Sequence, residues 1–66
     1  MNLNKLRGRM VELDVNVEAL ADAIGNDRST LYRKLGNFEK LTIGDAVKIK
    51  EFLKISDHDA IEIFLS

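Results

Sequence analysis

Apolar residues in this chain return every three or four positions from one end to the other, and that period allows little besides helix. Leu3, Leu6, Met10 and Leu13 form a first stripe, and Val17, Leu20, Ala21 and Ile24 a second. Leu31 and Leu35 form a third, and Ile43, Ala46, Val47, Ile49, Lys50 and Leu53 recur at helical intervals in a fourth. Capping residues punctuate them. Asn16 is a good N-cap, and Val15 before it is placed to staple onto Leu20. Gly25 suits a left-handed stop, and Asp27, three residues before Thr30, suits the next cap. Gly36 or Asn37 ends that helix. Thr42 and Asp45 have capping-box spacing, with Asp in place of the usual Glu or Gln, and Ser56 and Asp59 repeat it before "DHDAIEIFLS". Gly8 interrupts the first stripe at a cost of about 1 kcal/mol against alanine, a cost acceptable where another helix packs closely. No segment alternates as a strand does, and proline, repeats and linkers are absent. The expectation is an all-α domain of five short helices over residues 1–66.

A chain of 66 residues buries only about 60% of its unfolded surface. It has no cysteine and no cysteine/histidine metal pattern to staple a small core, so helix packing or dimerisation must substitute. A homodimer is expected, in a reducing cytoplasm. No apolar run reaches about 18 residues and no signal peptide opens the chain, so no membrane span is expected.

The net charge of −1 argues against a uniformly basic coat, but the charge is segregated. Residues 1–10 carry Lys5, Arg7 and Arg9, which read as solvated surface; 11–24 are acidic; 25–40 set four bases against Asp27 and Glu39; and 55–66 are acidic again. Such a chain can present one electropositive face while staying near neutral.

The basic stretch lies on the third helix. Two helices of about eight residues joined at Gly25, with Ala21 at their crossing and Leu20, Ile24 and Leu31 between them, match a helix-turn-helix, whose second helix enters the DNA major groove. With Leu31 and Leu35 inward, at 100° per residue, Ser29 and Arg33 point outward, flanked by Thr30 and Tyr32, and Arg28 projects from the tip. Arginine's fork bonds guanine O6 and N7 together, which makes Arg28 and Arg33 the expected base readers. Ser29 can bond any base, and the Thr30 methyl can meet a thymine methyl. Tyr32, Lys34, Asn37 and Lys40 lie where phosphates pass, and the second helix's start at Asn16 and Val17 offers backbone N–H groups to another phosphate.

"VNVEALADAIGNDRSTLYRKLGN" followed by "LTIGDAVKIKEFLKIS" resembles the Cro and lambda-type repressor family of helix-turn-helix proteins, the XRE type, over nearly the whole chain. The resemblance implies a five-helix lambda-repressor-like domain that binds operator DNA as a dimer and regulates transcription, often in phages or prophages. It carries the recognition positions onto Arg28, Ser29, Thr30 and Arg33. Two positions depart from it: Val17 stands where the family commonly has glutamine or threonine, and Lys34 where it tends to place the second apolar residue of the recognition helix. In that second respect "RSTLYRKL" is closer to the Fis-type activators, whose motif ends their chain.

The C-terminal "AIEIFLS" carries apolar residues around more of the helix than one core stripe needs. Phe52, Ile61, Ile63, Phe64 and Leu65 are therefore the expected two-fold interface; the alternative has Ile61, Phe64 and Leu65 capping the core with Ile63 as incidental surface. His58 is the one histidine and lies at a helix start without a catalytic partner, and no glycine-rich phosphate loop is present. No catalysis, metal, cofactor or small-molecule effector is expected. The chain reads as a DNA-binding repressor; the rival is a helical protein-interaction module, an antitoxin, antirepressor or adaptor, acting through the apolar C-terminal end.

Overall fold

The structure, a computed structural model, describes residues 2–65; Met1 and Ser66, the ends of the expected 1–66 domain, lie outside the described residues. Five α-helices follow one another: α1 (Leu3–Glu12), α2 (Val17–Ile24), α3 (Arg28–Gly36), α4 (Ile43–Phe52) and α5 (Asp57–Phe64). A single 3₁₀ turn, Phe38–Lys40, joins α3 to α4, and the described residues contain no strand.

Each helix starts where a short polar side chain catches its first free N–H groups. Asn2 accepts from the Lys5 N–H, Asn16 from Ala19, Asp27 from Thr30 and Ser56 from Asp59. Thr42 and Asp45 form a full capping box, each side chain accepting from the other's backbone N–H.

Three helices end alike. After α2, Gly25 takes φ 77° and the Asn26 N–H reaches back to the Ala21 carbonyl at 2.9 Å, the crossed pattern that satisfies the last carbonyls. The same closure follows α1, where Val15 N–H meets Met10 O at 2.8 Å, and α4, where Ile55 N–H meets Lys50 O at 3.0 Å. There the left-handed residues are Asp14 (φ 54°) and Lys54 (φ 52°), whose Cβ atoms strain a position glycine fills freely.

The core joins all five helices: Leu6 and Met10 from α1, Leu20, Ala21 and Ile24 from α2, Leu31 and Leu35 from α3, Ile49 from α4 with Leu53 and Ile55 just after it, and Ile63 from α5. α2 packs on both α3 and α4, and α1 packs on α5. The Asn2 N–H donates to the Ile63 carbonyl at 2.9 Å, tying the start of α1 to α5.

Four expectations are corrected here. Gly8 is exposed, with no atom near the place a Cβ would occupy, so no helix packs there. Leu13 caps α1 and is partly exposed rather than continuing its buried stripe. On α4 the buried line is Asp45, Ile49 and Leu53, while Ile43 and Val47 are exposed. Two residues along a helix turn it by roughly 200°, so a stripe through 43 and 47 and one through 45 and 49 face opposite ways. Ile63, expected at the surface or in an interface, is in the core, which turns Ile61 and Leu65, two residues either side, outward.

Lys5 and Arg9 are tethers rather than solvated surface. Lys5 Nζ pairs with Glu62 and, at 3.1 Å, with Asp59 on α5. Arg9 donates through Nε to the Leu53 carbonyl at 2.8 Å and through Nη2 to the Lys54 carbonyl at 3.3 Å, capping the end of α4.

Candidate nucleic-acid interface

The outer side of α3 is built by what is buried beneath it. Leu31 is fully buried and Leu35 is 9% exposed, so Ser29 and Arg33, each two residues from Leu31, stand in solvent. Arg28 is also exposed, and its guanidinium lies over the half-exposed Tyr32 ring, 5.6 Å from the centroid, a stacking that limits how far the side chain swings. The structure thus gathers Arg28, Ser29, Tyr32 and Arg33 on one surface.

Thr30 is half-buried and turned to the cap. Its backbone N–H donates to Asp27 Oδ1 at 3.1 Å. Hydrogen bonds from the Thr30 hydroxyl and then its N–H hold the Asp27 carboxyl below the usual carboxylate range, with the charge of Arg33 adding to them. Of the four expected readers, Thr30 is the least available.

Asn16, Val17, Glu18, Arg28 and Tyr32 line a shallow notch between the starts of α2 and α3. Asn16 is exposed with its side chain engaged at Ala19, Val17 is half-buried, and Glu18 sets a negative charge beside Arg28. Asn37 and Lys40 are exposed where α3 runs into the 3₁₀ turn; Asn37 Oδ1 accepts from the Glu39 N–H at 3.3 Å.

Lys34, expected among the phosphate contacts, is engaged within the protein itself. It lies three residues after Leu31, at the margin of the inward side, and its ammonium is 2.8 Å from Asp45 Oδ2 on α4. The two side chains are 18% and 12% exposed. The same carboxylate oxygen accepts from the Thr42 N–H at 3.2 Å, so Asp45 both caps α4 and grips α3. The Lys34 hydrogen bond holds the Asp45 carboxyl below the usual range, against burial that pushes it up. Sequence reasoning saw Asp45 only as a cap. The available signal was a lysine where α3 wants an apolar residue, eleven positions from an aspartate on the inner line of the next helix.

Of the expected interface residues, Ile61, Phe64 and Leu65 line an apolar groove between α4 and α5 together with Ile43, Ala46 and Val47, which were expected in the core. Phe52 is partly exposed but does not line that groove, and Ile63 is buried beneath α5.

Among the described residues one cluster has metal-ligand atoms close together, His58, Asp59 and Glu62, within 4.8 Å of one another. Its carboxylates already meet a cation: Lys5 pairs with both and holds both below the usual range, and they raise Lys5 in turn, Glu62 most. His58 is exposed, with Nε2 at 2.9 Å from a Glu62 oxygen. The four side chains form one ion network. No helix of the described residues is long and apolar enough to cross a membrane.

In comparisons with known proteins, no family model, curated protein or solved structure matches the chain.

Proposed function

We propose that the chain is a sequence-specific DNA-binding transcriptional regulator of the lambda-repressor-like type, with α2, the Gly25–Asp27 turn and α3 as its helix-turn-helix. One observation carries the reading: Leu31 and Leu35 are buried, and the opposite side of α3 holds Arg28, Ser29 and Arg33 uncovered by the protein's own chain. In this reading Arg33 and Arg28 bond guanine edges, Ser29 bonds a neighbouring base, and Thr30 adds at most its methyl. Tyr32, Asn37, Lys40 and the first N–H groups of α2 at Asn16 and Val17 hold the phosphates, which position the helix without specifying sequence. The protein acts as a repressor, in a bacterial or phage-infected cytoplasm, as a homodimer on a pseudo-palindromic operator with half-sites about 34 Å apart. It uses no cofactor and performs no catalysis.

The test is Arg33→Ala, assayed against a duplex selected from a random pool and against random duplex. Specific affinity falls about 5–100-fold, the worth of one bidentate guanine contact, while random-duplex affinity changes little. Equal loss on both refutes Arg33 as a reader.

The exposed groove between α4 and α5 favours a second reading, a protein-interaction module in which that groove is the working surface. The two readings part on salt: duplex binding whose affinity falls steeply with salt belongs to the first alone.

A further inference from the structure

α1 carries three bases spaced two residues apart, and the fold engages only two of them. Lys5 pairs with Asp59 and Glu62, and Arg9 bonds the carbonyls that end α4. Arg7 lies two residues from each, a rotation of roughly 200° about the helix axis, so it faces the other way. It is exposed, and among the described residues its guanidinium meets no carboxylate and no carbonyl. The positions one turn away on its own helix, Leu3, Asn4, Met10 and Val11, hold no acid either.

Arg7 faces the flank of α3. It borders a hollow whose other walls include Val17, at the first turn of α2, and Tyr32 and Gly36 on α3. Val17 and Tyr32 also wall the notch that holds Arg28. The two hollows therefore meet at Tyr32, which stands between the two arginines with the Arg28 guanidinium over its ring at 5.6 Å. Around α3, with Leu31 inward, Ser29 and Arg33 lie opposite it and Tyr32 and Gly36 lie on one flank. Lys34 lies on the other, where it meets Asp45 of α4.

We infer that Arg7 contacts a DNA phosphate from α1, on the strand that passes the Tyr32 flank of α3. The inference rests on the reading of α3 as the recognition helix. With Arg33 and Ser29 turned to base edges, the phosphates that wall the major groove run along the two flanks of that helix. On the Tyr32 flank, Val17 has no donor in its side chain, and the Asn16 side chain accepts from the Ala19 N–H. Arg7 is the residue that brings a full positive charge to this hollow, which has no acid in its walls. Glu18 lines the notch beside Arg28 instead. The arginine fork matches two phosphate oxygens at once, and here no internal partner has to be given up to make that contact. A side chain that reads as solvated surface in the sequence thereby extends the DNA interface from α2 and α3 onto α1.

The test is equilibrium binding of the whole chain to the selected duplex and to random duplex, from about 50 to 200 mM salt. Arg7→Gln removes the charge and keeps a polar side chain. Its urea midpoint stays that of wild type, because Arg7 holds nothing in the fold. Affinity falls about fivefold to tenfold on both duplexes near 0.1 M salt, and the salt slope becomes shallower by about 0.9, the share of one phosphate. Arg7→Lys keeps the wild-type slope. Lys54→Gln removes an exposed charge on the Lys5 and Arg9 side of α1, away from Arg7, and leaves the slope as it was.

A wild-type slope in Arg7→Gln overturns the inference and leaves α3 as the reading helix. A loss confined to the selected duplex also overturns it, since Arg7 is then a base reader, and so does an equal change in Lys54→Gln, which reports net charge alone. A wild type that binds neither duplex overturns this inference and the DNA reading together. Should Arg33→Ala lose equally on both duplexes while Arg7→Gln flattens the slope, the phosphate contact stands and the assignment of Arg33 as reader falls.

Discussion

Replacing Lys34 with methionine keeps the aliphatic stem of the side chain and removes the ammonium, leaving the Asp45 carboxylate, 12% exposed, against an apolar thioether. Two unit charges 4 Å apart attract with about 4 kcal/mol at an effective dielectric of 20. Desolvation and the ordering of the lysine offset much of that, while stranding the carboxylate costs about 1–3 kcal/mol. The expected loss is about 2 kcal/mol, a large share of the about 3–10 kcal/mol a chain this long commands. Urea unfolding followed by circular dichroism reads it: with a slope of about 1 kcal/mol per molar, the midpoint falls by about 2 M.

Acid supplies an internal control. Asp45 titrates below its usual range when folded, so its pairing stabilises the fold above the unfolded pKa of about 3.9 and that stability is lost as pH falls through the folded value. Wild type and Lys34→Met therefore converge as pH drops from about 5 toward 2. In duplex binding, the salt slope of Lys34→Met stays that of wild type, where a true phosphate contact would lower it by about one. A midpoint within about 0.3 M of wild type near neutral pH refutes the clamp, because measured slopes resolve a change that small.

Gly8→Ala, in open space on α1, stabilises by about 0.4–1 kcal/mol in the same unfolding assay, since alanine keeps less unfolded entropy and suits a helix interior. Unchanged or lower stability would mean that something does pack on Gly8. Asp14→Gly and Lys54→Gly each relieve a left-handed residue and raise the midpoint by about 0.5–1 M, from roughly 0.5–1 kcal/mol each. A loss at Lys54 would show that Arg9, which bonds the Lys54 carbonyl, depends on the lysine's backbone stiffness.

What the chain's residues decide locally was readable from their order. Asn16, Gly25, Asp27, Thr42 and Ser56 act within three or four residues of themselves, so the helix ends they mark are where they were expected. Leu31 and Leu35 sufficed to orient α3, because no second apolar stripe competes on that helix, and the exposed set of Ser29, Arg33 and Arg28 followed. α4 and α5 each carry two apolar stripes facing opposite ways, and periodicity alone cannot choose between them. Tertiary structure chose through packing partners distant in sequence. Ile49 and Leu53 pack against α2 in the core, with Lys34 meeting Asp45 on the same side of α4, and this leaves Ile43 and Val47 exposed. Ile63 packs into the core shared with α1, where Lys5 also meets Asp59 and Glu62, and this leaves Ile61 and Leu65 exposed. A helix's start and stop are short-range hydrogen-bonding matters, whereas which of its two apolar sides is buried depends on partners supplied from elsewhere in the chain.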